Sequence, residues 1–466
     1  MEIPANEAER QKSIIMRIRE SFLTRPAPPL AYIDTYGCQQ NESDSEKLCG
    51  MLAEIGYGFT GDEYEADVIV INTCAIRENA ENRVYGNVGA LVHTKKAKPT
   101  QIIAFCGCMA AIPEVAEKIR QSYRHVDLLF SPNALWRFPE LLYNVMTASG
   151  RVFDAFAEEE GRIAESIPIR RDRAVKAWLP IMYGCDNYCS YCIVPYVRGR
   201  ERSRKPEAIA DEARTLVADG YKDITLLGQN VNSYGAGLEE NTDFASIIRM
   251  IDSIDGEFLI RFMTSHPKDA SDELFRAMAE SGKAARHIHL PFQAGNDRVL
   301  NLMNRGYTQV EYLKKIASAR EFMPDIVITS DVIVGFPGET DEEFEDTLRL
   351  IEKAQFDAMF TFIYSKRPGT PAAVLPDSVT REEKQIRFDR LIELQNAISL
   401  DKHTQYVGKS VRVLIDEESH DERYPLKART NGGRLVHMPG DAGLIGSFVD
   451  VHITHCNSWS LFGEYL

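Results

Sequence analysis

The chain has 466 residues, 44% hydrophobic and 26% charged, with a net charge of −15. That is enough apolar material for several cores and two to four domains, and the acidic balance argues against a protein whose whole surface attracts nucleic acid. Nine cysteines, odd in number and scattered, do not form a secreted disulfide framework, and no apolar run reaches the roughly 18 residues that span a bilayer.

Residues 1–29 read as an N-terminal extension, charged, without the apolar core of a signal peptide, and closed by Arg25-Pro26-Ala27-Pro28-Pro29. A soluble cytoplasmic protein is expected. From residue 30 a βα alternation begins. Apolar strands are expected at Ala31–Thr35, Val68–Asn72, Ile102–Phe105 and Asp127–Phe130, with helices such as Ser43–Ile55 and Pro113–Ser122 between them. The alternation predicts a small parallel-sheet domain over 30–150. Ligands of such sheets gather at the carboxyl ends of strands. Cys38, Cys74 and Cys108 follow the first three strands, one βα unit apart, so three separate loops can converge on one point. A charged linker, 151–172, ends the domain.

The pattern restarts with longer units over 173–403. Strands are expected at Trp178–Tyr183, Ile224–Leu227, Phe258–Phe262, His287–Leu290, Ile326–Val334 and Ala358–Tyr364. Six βα units make a partial (β/α)6 barrel, whose catalytic face is the carboxyl end of its strands. The helix Pro206–Gly220 carries Ile209, Ala213, Leu216 and Val217 on one face. Thr340 with Glu343 forms a capping box, and Glu339 is read as preceding that cap. A long helix, Arg381–His403, leads out. The tail, 404–466, breaks into short alternating segments at Ser410–Ile415, Ala428–Thr430, Leu435–His437 and Phe448–His455, with Gly-rich turns. This predicts a small β-barrel of a kind that often binds nucleic acid strands. Its acids slightly outnumber its bases, so charge alone supports that reading weakly. The fold class is thus α/β: a parallel βα domain, a partial barrel and a small β-barrel.

The most informative stretch follows the first barrel strand: Cys185, Cys189 and Cys192, spaced C-x3-C-x2-C, with Tyr191 before the last. Iron–sulfur clusters normally take a cysteine on each iron; three cysteines on a four-iron cluster leave one iron open to a small molecule. The competing reading is a zinc knuckle, within an RNA-binding protein holding structural zinc. Zinc wants a fourth Cys or His nearby, and no His lies between Asp154 and Arg202. Directly after the loop, Arg198, Arg200, Arg202, Arg204 and Lys205 form a basic stripe. Such runs are usually solvated faces, but this one is a candidate for gripping phosphate. Cys49 and Cys106 lie in or beside apolar elements and read as inert core residues, and Cys456 has no ligand partner at useful spacing.

The spacing at Cys185 resembles the signature of the radical S-adenosylmethionine (SAM) enzymes. Further blocks extend the likeness: Thr35-Tyr36-Gly37-Cys38-Gln39-Gln40-Asn41, Asn72-Thr73-Cys74-Ala75-Ile76-Arg77-Glu78, Gly107-Cys108-Met109-Ala110, Gly228-Gln229-Asn230-Val231-Asn232, Thr264-Ser265-His266-Pro267, Asp331 through Thr340, and Arg367-Pro368-Gly369-Thr370. Together they resemble the radical SAM methylthiotransferase family, of the MiaB type that modifies tRNA, and the tail resembles a TRAM domain. The family often has Met where Gln40 stands, a position that need not ligate iron.

The resemblance implies two [4Fe-4S] clusters, an auxiliary one on Cys38, Cys74 and Cys108 and the SAM-cleaving one on Cys185, Cys189 and Cys192. It implies Tyr191 beside the adenine of SAM, and SAM contacts from Gly228, Gln229 and Asn230, with Gln293, Gly335 and Phe336 as weaker candidates. His266 is read as near SAM or structural. Lys427, Arg429 and Arg434 join Arg198, Arg200, Arg202 and Arg204 as RNA-binding candidates. The implied reaction is transfer of a methylthio group to C2 of N6-isopentenyladenosine at position 37 of tRNA, with two SAM per turnover, one as methyl donor and one as source of the 5′-deoxyadenosyl radical. Within the same chemistry, the alternatives are threonylcarbamoyl-adenosine in tRNA or a ribosomal-protein aspartate. Implied partners are the tRNA anticodon stem-loop, an electron-donor protein and a sulfur or iron–sulfur carrier, with the enzyme a monomer away from membranes.

Overall fold

A computed structural model describes residues 2–75, 78–148, 150–154, 162–165, 167–239 and 242–465. Ile76 and Arg77 of the Cys74 block, and residues 155–161 and 166 of the expected linker, lie outside the described residues. The chain divides into two compact units: 1–172 with 183–186 and 192–204, and 173–182 with 187–191 and 205–466.

In the first unit a six-stranded, all-parallel sheet runs in the order Gly58–Phe59, Leu30–Thr35, Val68–Thr73, Ile102–Gly107, Leu128–Phe130, Val152–Asp154. Val68–Thr73 is buried at every position, as a central strand covered on both faces must be. The helix Gln39–Ile55 ends at Gly56, whose φ of 106° forms a left-handed cap. Two departures from the sequence expectation concern the margins. The extension folds into a helix, Ala5–Ser21, that buries Ile14, Ile15 and Ile18 against Leu48, Leu52 and Phe138. Val152–Asp154, within the expected linker, supplies the sixth strand.

The second unit holds six parallel barrel strands in two half-sheets. One pairs Leu259–Phe262, Asp223–Leu227 and Lys176–Pro180; the other pairs His287–His289, Val327–Val334 and Ala358–Ile363. An isolated parallel bridge joins Ile260 to Ala284, just ahead of the second half-sheet. Helices between them bury a single apolar core including Ile224, Phe275, Phe292 and Phe356. Capping boxes open the helices Gln309–Phe322, Asp341–Ala354 and Arg381–Thr404 at Thr308, Thr340 and Thr380.

The tail closes into a five-stranded barrel of Ser410–Glu418, Leu426–Thr430, Leu435–Met438, Leu461–Tyr465 and Phe448–Cys456. The strand Leu461–Tyr465 was not among those expected, because its alternation covers only five residues at the chain's end. The turn Asn431-Gly432-Gly433 lies against the start of Val327–Val334. Arg261 donates to Thr430 O and Asn431 O at 3.0 Å each, and Arg434 is buried in an ion pair with Asp357.

Candidate cluster sites

Three neighbouring strands of the first unit, Leu30–Thr35, Val68–Thr73 and Ile102–Gly107, run parallel and in register. Their carboxyl ends therefore emerge side by side, and each is followed within three residues by a cysteine: Cys38, Cys74, Cys108. Cys74 and Cys108 are buried and Cys38 is partly exposed. Gly37, at φ 117°, lets the first loop close on the second; a Cβ there would stand 2.8 Å from Cys74 Sγ. Asn41 laces the loops together, its Nδ2 donating to Tyr36 O at 2.8 Å and Thr73 O at 2.9 Å. The Cys108 thiol points at Asn41 Oδ1, 4.0 Å away.

Behind the trio Arg198 is buried, donating to Asp44 Oδ2 at 2.8 Å and Asn41 Oδ1 at 2.6 Å. Burial works against its charge, but Asp44 and the thiols of Cys108 and Cys38 outweigh this and hold it well above its ordinary value. Burial pushes the Cys108 thiol up, against the pull of Arg198. Among the described residues no three His, Cys, Asp or Glu side chains already form a closed metal shell, so the fit rests on the donor set: soft thiols on converging loops beside a buried cation suit a thiolate-ligated cluster. Cys106 sits in the core at 2% exposure, and burial pushes the Cys49 thiol up to about 12; both match the inert reading.

The C-x3-C-x2-C loop leaves the first barrel strand at its carboxyl end. Its middle is pinned inside the second unit: Ser190 N–H donates to Met303 O at 2.9 Å, Ser190 Oγ to Leu302 O at 2.7 Å, and Asn304 Nδ2 to Tyr188 O at 3.0 Å. In the first unit Arg200 holds Asp186 through two bonds of 2.9 and 3.1 Å. Gly184, at φ 78°, brings its backbone against Arg200 O, where no Cβ fits.

At the carboxyl ends of later barrel strands, several buried polar atoms have no protein partner: Asn232 Oδ1 and Nδ2, Ser265 Oγ, His266 Nε2 and Gln293 Oε1. Such atoms are rare in a folded interior and call for a ligand. His266 Nδ1 accepts the Lys268 N–H at 3.2 Å, which leaves the ring proton on Nε2. Burial first, then Arg305 and Lys268, push this histidine down to about 2, so the ring is neutral. Donors and acceptors of this kind suit a ligand carrying an adenosine and an amino acid.

The candidates expected for SAM divide. Gln293, at φ 66°, keeps an unpartnered carbonyl. Tyr191 packs at the edge of the barrel core, its hydroxyl 3.4 Å from Arg305 Nη1. Gly228 lies against Met182, where a side chain would collide. Gln229 follows it into the loop after the strand Asp223–Leu227. Asn230, by contrast, is spent on structure: its Nδ2 holds Asp269 at 2.7 Å and its Oδ1 accepts the His266 N–H at 3.1 Å. Gly335 N–H donates to Glu339 Oε2 at 2.7 Å, and that carboxylate also pairs with Arg387 at 2.9 Å. Glu339 therefore ties a loop to a helix and does more than precede a cap. Phe336 is fully buried against Tyr364 in the core.

The RNA-binding candidates need correction. Arg198 and Arg204 are buried and paired with Asp44 and Glu165. Arg202 is half-buried, donating to Arg198 O and Arg200 O, and of the four arginines only Arg200 presents most of its side chain to solvent. Arg434 is buried on Asp357, Arg429 bonds Asp416 at 3.0 Å, and Lys427 lies 3.4 Å from Glu417. Arg198, Arg204 and Arg434 serve as internal fasteners, while Arg200, Arg429 and Lys427 keep part of their side chains at the surface. On the small barrel an aromatic cluster reaches the surface at His455. Phe462 stacks on His455 at 4.5 Å and on His437 at 5.2 Å, with Tyr424 5.1 Å away and Arg423 over Tyr424. Of the four rings His455 is exposed, while the others are half-buried. The sequence reading singled out none of these rings: Phe462 lies on a strand it did not expect, and nothing local shows that His437, His455 and Phe462 come together from three strands.

Comparison with known proteins agrees with this layout. Residues 179–351 match the radical SAM superfamily, residues 30–131 an uncharacterized family, UPF0004, and residues 404–466 the TRAM domain. In fold the chain is similar to a radical SAM methyltransferase, TsrM, from Kitasatospora setae, with a TM-score of 0.56 at 14% identity, covering 75% of each chain. Fold and cysteine loops thus define an enzyme of the radical SAM class. Over its full span the chain is 49% identical to a tRNA-2-methylthio-N(6)-dimethylallyladenosine synthase of Acetivibrio thermocellus, covering 99% of this chain and 97% of that one. A synthase of the same name from Alkaliphilus oremlandii is 49% identical over 93% of this chain and 92% of its own, and one from Thermoanaerobacter sp. 47% identical over 99% and 98%. The chain belongs to this family of tRNA methylthiotransferases.

Proposed function

We propose that this protein transfers a methylthio group to C2 of N6-isopentenyladenosine at position 37 of tRNA, using SAM and [4Fe-4S] clusters. The observation that carries this reading is near-full-length identity of 49% with a synthase of that activity. When bound, the clusters and SAM supply radical chemistry and sulfur, which a neutral aromatic C–H demands because it offers no acidic proton and no leaving group.

The chain's own residues prepare the sites. Cys38, Cys74 and Cys108 are assigned to an auxiliary cluster, and Cys185, Cys189 and Cys192 to the SAM-cleaving one. Gly37 and Asn41 hold the first trio's loops together. Ser190 and Asn304 fix the middle of the second loop. Tyr191, Gly228, Gln229 and Gln293 are retained for SAM, and Asn232, Ser265 and the Nε2–H of His266 are added, since each carries a buried polar atom that a bound ligand would satisfy. Asn230, Gly335 and Phe336 shape the walls without donating to the ligand. RNA is gripped through stacking on His437, Phe462 and His455, because unstacked loop bases pack on such rings.

The same proposal assigns a monomer in the cytoplasm, served by an electron-donor protein and a sulfur or iron–sulfur carrier. Among the described residues no helix is long and apolar enough to cross a membrane. The test is anaerobic incubation of reconstituted protein with SAM and an isopentenylated anticodon stem-loop. Methylthio product together with 5′-deoxyadenosine is expected. Turnover of threonylcarbamoyl-adenosine RNA instead, with the isopentenylated RNA unchanged, would overturn the substrate.

A further inference from the structure

Arg305 is 4% exposed, and all of its hydrogen bonds go to groups without a formal charge of their own. Nε donates to Tyr307 Oη at 3.0 Å, Nη2 to Pro291 O at 2.8 Å, and Nη1 to Tyr191 Oη at 3.4 Å and Cys189 Sγ at 3.3 Å. Among the described residues no carboxylate accepts from it. Tyr307 is itself anchored, donating to Phe292 O at 2.9 Å. Arg198, the buried arginine beside the other trio, differs in one respect: Asp44 neutralises it.

A guanidinium buried without a counter-ion is costly, and persists only where an anion completes it. Three of its anchors aim the Nη1 edge at Cys189, so the missing negative charge belongs on that sulfur. We infer that Arg305 is a positioning residue whose counter-ion is the thiolate-ligated cluster on Cys185, Cys189 and Cys192, and that its N–H···S bond and positive charge favour the reduced, more negative form of that cluster. This rests on the assignment of those three cysteines made above. Hydrogen bonds to cluster sulfurs and local net charge set reduction potentials; a fixed cation stabilises the state with one more electron, and removing it leaves that state harder to populate.

The test isolates one cluster in the full-length chain by combining Cys38→Ala, Cys74→Ala and Cys108→Ala, followed by anaerobic reconstitution without SAM. Iron per chain is measured, and the reduced fraction is followed by electron paramagnetic resonance in a redox titration with dithionite as the reductant. With Arg305 present, about four irons per chain are expected; no iron would overturn the cysteine assignment itself. With iron retained, Arg305→Gln is expected to lower the ratio of reduced to oxidised cluster at fixed potential at least tenfold, equivalent to about 59 mV for a one-electron couple. Arg305→Lys, which keeps the charge but cannot hold the sulfur and all the anchors together, is expected to fall between. A ratio within twofold of the parent in Arg305→Gln, even with a lowered melting temperature, would leave the residue purely structural and overturn the inference. If Arg305→Gln does not fold, the same result in Arg305→Lys overturns it.

Discussion

At Gly37 the lack of a side chain decides whether three loops can meet. Its φ of 117° is one that side chains avoid, and a Cβ there would press on both atoms of the Cys74 side chain. Gly37→Ala must therefore push the Cys38 loop away from Cys74 or abandon the turn. We expect the variant to fold, with Cys185, Cys189 and Cys192 still loaded and iron falling from about eight to about four per chain. Iron analysis after reconstitution checks this, and an unchanged iron content would separate Gly37 from cluster assembly. At this scale the sequence spoke clearly where chemistry is local: the C-x3-C-x2-C spacing lies within eight residues. Arg305 was silent, because Pro291, Cys189 and Tyr191 stand 14 to 116 residues from it and no spacing rule connects them.

Among elements, strands buried on both faces were legible as continuous apolar runs, and Val68–Thr73 is the clearest case. Charge was the misleading signal, since a run of arginines looks the same in sequence whether it faces water or an internal acid. Arg434 illustrates the second case. It and Asp357 are each 6% exposed on their side chains, and Asp357 also accepts the Ile328 N–H at 2.7 Å. Removing one partner of a buried pair leaves the other uncompensated, so Arg434→Ala is expected to destabilise the second unit by about 3–5 kcal/mol. Arg434→Met with Asp357→Leu should recover much of that. Urea denaturation of the three proteins decides between a fastener and a surface cation. The aromatic face carries the opposite expectation. His455→Ala, at the exposed end of the stack, should leave the urea midpoint nearly unchanged but weaken binding of an anticodon stem-loop about tenfold, within the range for loss of one stacked base. Fluorescence anisotropy at fixed salt reads it out, and undiminished affinity would move the RNA elsewhere.

In the molecule as a whole, the small C-terminal barrel is fastened to the larger one through a charged cluster, beside which a buried histidine is held neutral. His287 donates to or accepts from Thr329 Oγ1 at 3.0 Å. Burial, then His289, Arg261 and Arg434, push it down to about 3. The unfolded chain takes up this proton near pH 6.5, while the folded chain refuses it until pH approaches about 3. The stability contributed by neutral His287 is therefore complete above pH 6.5 and is lost progressively as pH falls from 6.5 toward 3. On iron-free protein, so that acid release of clusters adds nothing, the urea midpoint should drop between pH 7 and 5, above the range where most carboxylates titrate. His287→Asn, which has no proton to gain, should show a shallower drop over the same interval. Equal slopes in the two proteins would assign the acid sensitivity to other groups and leave His287 a passive part of the joint.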